Sequence, residues 1–142
     1  MNGNFSYYIN TVGKMLDPNE VQSDALRAIQ EGRLFAEYYT RGWAGVDPLT
    51  GQGLYYTDET ESATTSIRTD AKPYFQGTTP FPSYMAGFRT EFIYKGFSLS
   101  AFFAGQFDFS VMNRWQNYVT NDGESNIYNQ TTDALYDSWT PD

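Results

Sequence analysis

Two kinds of side chain are spaced so that they could act on another molecule: clustered carboxylates, and aromatic rings set beside carboxamides. Asp58, Glu59 and Glu61, and separately Asp122 with Glu124, could offer oxygen ligands to a hard cation such as calcium. Neither group follows the D-x-[DN]-x-[DN]-G spacing of a calcium loop, so solvated charge is the expected reading and no metal is expected. Paired carboxylates hydrolyse glycosides only when held at a defined separation, and nothing in the spacing fixes one. Histidine and cysteine are absent. That removes the commonest general base, the thiolate nucleophile and the commonest transition-metal ligands. The sequence therefore offers no catalytic residues, no cofactor site and no enzyme activity.

The aromatic candidates are Trp43, Tyr55 and Tyr56 in one stretch, and Trp115, Asn117, Tyr118 and Asn121 in another. Rings of this kind stack on sugar faces while carboxamides bond the hydroxyls. The same residues can instead pack one loop against another, or meet a partner protein. Those three uses share one set of side chains.

These rings belong to a wider excess. Twelve Tyr, eleven Phe and three Trp make 18% of the 142 residues, more than a globular core of this size needs. Such content suits a water–lipid boundary or a sugar-binding surface. The net charge of −8 argues against nucleic acid, which selects basic patches. The uninterrupted apolar stretches are far shorter than the roughly 20 residues of a spanning helix, so any membrane crossing must be made by strands. No basic region leading into an apolar one follows Met1, so no signal peptide is expected.

Residues 84–109 carry the strongest pattern. Tyr84, Ala86, Phe88, Thr90, Phe92 and Tyr94 alternate with Met85, Gly87, Arg89, Glu91 and Ile93. After Lys95-Gly96, Phe97, Leu99, Ala101, Phe103, Gly105, Phe107 and Phe109 alternate with Ser98, Ser100, Phe102, Ala104, Gln106 and Asp108. Period 2 over two long runs with a Gly turn between them predicts a β-hairpin, its turn type left open by the Lys. Pairing Tyr94 with Phe97 sets Phe92 against Leu99, Phe88 against Phe103 and Tyr84 against Phe107, all on one face. Arg89 and Glu91 fall on the other, where an ion pair is expected. Eleven residues at about 3.3 Å, tilted by about 45°, project to about 26 Å, close to the apolar band of about 25 Å around an outer-membrane barrel. Aromatics at both ends of the face, with smaller residues between, form the two girdles such a strand needs. Tyr84, Phe88, Phe92, Tyr94, Phe97, Leu99, Phe103 and Phe107 are the expected lipid-facing set.

The expected strands are about 4–11, 84–94 and 97–110, with long external loops at about 12–83 and 111–142. In the first loop Asp17-Pro18-Asn19-Glu20 reads as a helix start, followed by Val21, Ala25, Ala28 and Ile29 at helical spacing and closed by Gly32. Asp47-Pro48-Leu49-Thr50-Gly51 is a turn signal between Leu34–Trp43 and Leu54-Tyr55-Tyr56, which predicts a small hairpin. Residues 57–83 are expected to lack regular structure. A loop so long beside a two-residue turn is unusual in a compact soluble domain and ordinary in outer-membrane barrels. The fold class expected is thus all-β, antiparallel strands of an incomplete transmembrane barrel.

Three segments resemble the SusC/RagA family of TonB-dependent outer-membrane transporters of Bacteroidetes. Glu31-Gly32-Arg33 with Tyr38-Tyr39-Thr40-Arg41-Gly42-Trp43-Ala44-Gly45-Val46-Asp47-Pro48-Leu49-Thr50-Gly51 is similar to that family's "EG…fygy.waGvdp.tG" stretch. Pro82-Ser83-Tyr84-Met85-Ala86-Gly87-Phe88, then Tyr94-Lys95-Gly96-Phe97-Ser98-Leu99-Ser100 and Phe103-Ala104-Gly105, resemble "P.y.gGf…ykgFdls.ff.G". Trp139-Thr140-Pro141-Asp142 resembles the opening of "rWtpeN". The segments run in the family's order from about residue 31 onward. Gln106-Phe107-Asp108-Phe109 and residues 57–77 depart from its pattern.

The resemblance implies a late piece of a barrel of about 22 strands, in the cell outer membrane, importing glycans or other large nutrients. It implies as partners a SusD-like surface lipoprotein that closes over an oligosaccharide or peptide, the TonB complex acting through a plug not present in these residues, and outer-membrane lipid. The family's leader, carboxypeptidase-like extension, TonB box and plug have no counterpart here. Two other readings stay open: a soluble carbohydrate-binding β-sandwich, and the barrel of an iron-chelate receptor. Solubility separates the first of these from a barrel piece, whose bare edges and lipid-facing side predict aggregation or a need for detergent.

Overall fold

The structure is a computed structural model that describes residues 1–120, 128–136, 139 and 140. Its strands are β1 (Asn2–Tyr7), β2 (Gln22–Ser23), β3 (Arg27–Ile29), β4 (Glu37–Thr40), β5 (Trp43–Val46), β6 (Gly53–Tyr56), β7 (Thr64–Thr65), β8 (Tyr74–Phe75), β9 (Tyr84–Tyr94) and β10 (Phe97–Phe107). Two single-turn helices, α1 (Gln116–Val119) and α2 (Asp133–Tyr136), follow. The fold is all-β with antiparallel pairing. Among the described residues no closed barrel is formed, and no helix is long and apolar enough to cross a membrane.

The chain divides into two compact units. One comprises Met1–Thr40 and Phe75–Ser110, the other Arg41–Tyr74 and Val111–Asp142.

The first unit is built around a three-stranded sheet in the order β1-β9-β10. Lys95 and Gly96 have φ of 45° and 85°. Positive φ at both central residues is the type I′ geometry whose twist matches the flanking strands. The register is the one the alternation predicts, with Phe97 against Tyr94, Leu99 against Phe92, Phe103 against Phe88 and Phe107 against Tyr84. Strand β1 lies along the far side of β9, Tyr7 against Tyr84 and Asn2 against Arg89. It begins and ends earlier than the expected 4–11. Strand β10 stops at Phe107 rather than at 110, because Asp108 turns to φ 61° and the Ser110 amide donates to the Thr79 carbonyl.

The helix expected after Asp17 does not form. Strands β2 and β3 occupy the segment instead, Gln22 facing Ile29 and Ser23 facing Ala28. Asp24 is the cause: its Oδ1 accepts from the Leu26 and Arg27 amides at 3.0 and 2.9 Å, folding a tight turn where helical spacing had suggested continuity. Strand β3 pairs on with β4 in a four-stranded sheet ordered β2-β3-β4-β8. Arg33 stacks 4.2 Å from the centre of the Phe75 ring, and the Glu37 carboxylate accepts from the Gly77 amide at 2.8 Å.

The second unit holds a small hairpin about the expected Asp47–Gly51 turn, β5 against β6, extended by β7; its first arm is Trp43–Val46, whereas within the expected Leu34–Trp43 arm Glu37–Thr40 pairs elsewhere as β4. Strands β7 and β8 lie within residues 57–83, where none was expected; each is two residues long, β7 pairing with the preceding β6 and β8 with the distant β4.

Among the described residues Ala28 and Ala71 alone are buried apolar residues, and no large side chain is fully buried. An ordinary soluble domain of this length centres on buried Leu, Ile, Val and Phe.

Candidate functional site

Two aromatic surfaces stand out, one in each unit. On the three-stranded sheet, strand alternation gathers Phe5, Tyr7, Tyr84, Phe88, Phe92, Tyr94, Phe97, Leu99, Phe103 and Phe107 on one face. Tyr7 stacks on Tyr84 at 4.7 Å between ring centres, and Phe88 meets Phe103 at 6.4 Å. Rings thus mark the open end through Phe5, Tyr7, Tyr84 and Phe107, and the turn end through Tyr94 and Phe97. The small pairs Ala86–Gly105 and Thr90–Ala101 lie between them. An open groove of about 230 Å³ runs over Ala86 and Gly105, walled by Phe88, Phe103 and Phe107.

This face is uncovered. Phe92, Leu99 and Phe103 are 66%, 69% and 61% exposed, and Phe88 is half-buried. The opposite face carries Asn2, Asn4, Ser6, Arg89, Glu91, Ser98, Ser100 and Gln106, interrupted by Met85, Gly87, Ile93, Phe102 and Ala104. Asn4 lies over Gly87, where a Cβ would collide with its carboxamide. The Arg89–Glu91 ion pair is not made: among described residues the ion pairs are Arg27–Asp24 and Arg33–Glu37. Residues two apart on a strand share a face without touching, and their cross-strand neighbours are Phe102 and Ser100.

In the second unit the turn of the β5–β6 hairpin is locked by Asp47. Its Oδ1 accepts from the Leu49 amide at 2.9 Å and its Oδ2 from the Thr50 hydroxyl at 2.8 Å. These bonds hold its carboxyl below the ordinary carboxylate range, the Leu49 amide contributing most. Asp24 is lowered by the Leu26 amide first and the Arg27 amide next. Asp58 is lowered chiefly by the Thr60 hydroxyl, then by the Thr60 amide. Asp58 thus caps a turn, and Glu61 accepts from the Tyr74 hydroxyl at 2.8 Å. Asp122 and Glu124 lie outside the described residues. No metal-ligating cluster occurs among the described residues.

The loop aromatics form two groups. Trp43 meets its cross-strand partner Tyr55 edge-on at 5.3 Å and is 56% exposed, while Tyr55 and Tyr56 are half-buried. Trp115 meets Tyr118 at 6.1 Å, and Tyr118 meets Tyr128 at 5.4 Å. Asn117 lies in α1, and Asn121 is outside the described residues. Sequence reasoning missed Trp139 as a partner of this unit. Its indole rests on Gly51 and its Nε1 donates to the Pro48 carbonyl at 3.3 Å, across 91 positions.

Comparison with family models, with curated proteins and with solved structures finds no match to the chain.

Proposed function

We propose that the chain is a stretch of wall and external loop from an outer-membrane β-barrel that imports glycans or other large nutrients. The observation that carries this reading is the bare aromatic face on two paired eleven-residue strands. Burying rings of this size in hydrocarbon is favourable at roughly 25 cal/mol per Å² of apolar area, and in water nothing offsets their exposure. The scarcity of buried apolar residues fits the same reading, because a barrel wall is stabilised by lipid outside and by neighbouring strands at both edges. β1 and β10 stand at the ends of their sheet with outer edges open to such neighbours. The polar face then looks into a watery interior. By the resemblance, the partners are a SusD-like lipoprotein lid over the external loops and the TonB complex acting through a plug.

Single cysteines test the reading cleanly, since the chain has none of its own. In vesicles, Phe92→Cys and Leu99→Cys should resist a hydrophilic maleimide and crosslink to a photoactivatable lipid. Ser98→Cys and Ser100→Cys should label readily. Equal aqueous labelling of both sets sinks the membrane assignment. A monodisperse, cooperatively melting protein in plain buffer points instead to a soluble carbohydrate-binding module.

A further inference from the structure

Glu37, at 3% exposed, is the one charged side chain buried among the described residues, and it stands just before the chain leaves the first unit at Thr40. A carboxylate is costly to bury unless it is paired and hydrogen-bonded. Its Oε1 accepts from the Gly77 amide at 2.8 Å and lies 3.8 Å from the Arg33 guanidinium, which in turn stacks 4.2 Å from the centre of the Phe75 ring. The chain re-enters the first unit at Phe75, so Glu37 ties the outgoing segment to the returning one. The same two segments share further bonds. The Gln76 amide donates to the Tyr38 carbonyl and the Tyr38 amide to the Thr78 carbonyl, both at 2.9 Å. The Gln76 carboxamide donates to the Thr40 carbonyl at 3.0 Å.

The remaining passage between the units, after Ser110, is held from the same place. The Tyr38 hydroxyl donates to the Ser110 carbonyl at 3.2 Å, and the Ser110 amide donates to the Thr79 carbonyl at 3.0 Å. The Ser110 and Thr78 hydroxyls are 2.8 Å apart. Thr79, itself buried, donates its hydroxyl to the Phe35 carbonyl at 3.0 Å. One bonded collar therefore holds the chain at Thr40, at Phe75 and at Ser110.

We infer that Glu37 fastens this collar as a clasp that isolates residues 41–74 from the long β9–β10 ribbon, so that the excursion can open or change shape while its base stays shut. A rearrangement beyond Thr40 and Phe75 meets two ends already bonded to each other, which makes the excursion a loop closed at its root. Such a loop opens as a unit of its own, below the free energy at which the sheet opens. The device goes beyond the import reading and does not depend on a membrane; it suits any loop that adapts to a ligand above a rigid support.

Hydrogen exchange read amide by amide on the full chain in detergent micelles tests it. The Tyr38, Gln76, Gly77 and Ser110 amides should exchange as one group, and more slowly than those of Tyr56 and Lys72 within the excursion, which also donate to backbone carbonyls. Glu37→Ala should speed the whole group by about tenfold or more, including Ser110, whose bonds do not involve Glu37. Glu37→Gln still offers an oxygen to Gly77 and should keep part of the protection. Thr79→Val removes a different bond and should speed the same group to a smaller extent, which keeps the inference open to test if Glu37→Ala does not fold. The β9–β10 amides should keep their protection throughout. The inference is overturned if the collar amides exchange as fast as those of the excursion, or if each substitution speeds only the amides beside it. Neither result bears on the cysteine labelling that tests the barrel.

Discussion

The long β9–β10 hairpin and the short β5–β6 hairpin are both antiparallel ribbons, yet they are held together in opposite ways. The long one has eleven cross-strand pairs, a turn with positive φ at both positions and almost no contact above or below its rings. The short one has few pairs and a bulge. Asp47 bonds its turn together, and indoles lying on Gly51 and Gly53 brace it. The long ribbon is specified by its regular cross-strand register, whereas the short, bulged one is fixed by specific polar bonds and ring contacts.

The sharpest way to break this comparison is to place charge on each face of the long hairpin. Ala101→Arg, at mid-strand on the aromatic face, should destabilise the vesicle-refolded protein by about 2–4 kcal/mol, as expected for Arg near a bilayer midplane, whereas Ser100→Arg should cost far less. Urea titration of the refolded protein measures both. Equal effects would remove the distinction between the faces.

The loop hairpin should respond to its own weak point. Gly51→Ala forces a side chain into φ 71° and against the Trp139 ring, and should cost about 1–2 kcal/mol from the backbone alone. The measurement is faster proteolysis within 41–74 together with a red shift of Trp emission; the β9–β10 amides should keep their exchange protection.

Acid sharpens the same contrast. Asp24, Asp47 and Asp58 have carboxyls lowered by bonds that exist only in the folded turns. A lowered folded value means the contribution is complete above the unfolded value of 3.8 and is lost as pH falls through the folded one. Protection of the Leu26, Leu49 and Thr60 amides should therefore decline below about pH 4, and Asp47→Asn should flatten that response at Leu49 alone.

The smallest effect belongs to the long hairpin's turn. Lys95→Asn suits type I′ geometry better and should stabilise by a few tenths of a kcal/mol up to about 1 kcal/mol, read as a shift in the same urea midpoint.

The two ribbons also differ in how far they could be read in advance. Alternation from Tyr84 to Phe107 dictates strands, register and faces together, because a slip of one residue would turn every ring over. The Asp47–Gly51 turn was equally legible from its Asp, Pro and Gly. Residues 17–32 were not: Val21, Ala25, Ala28 and Ile29 imitate a helix, and Asp24 decides otherwise through two amide bonds that spacing does not reveal. Strands β7 and β8 are too short for any periodicity; β7 exists by pairing with the preceding strand, Thr65 against Tyr55, and β8 by joining β4 from far along the chain. The same holds for Trp139, whose seat on Gly51 is a tertiary fact with no local signature.

The outer edge of β10 sets a condition on how such a chain comes into being. Eleven residues of strand at the end of a sheet present a row of donors and acceptors that any extended peptide can satisfy, a sister copy included. A detergent, a chaperone or a neighbouring strand that occupied this edge would remove the template for such self-pairing.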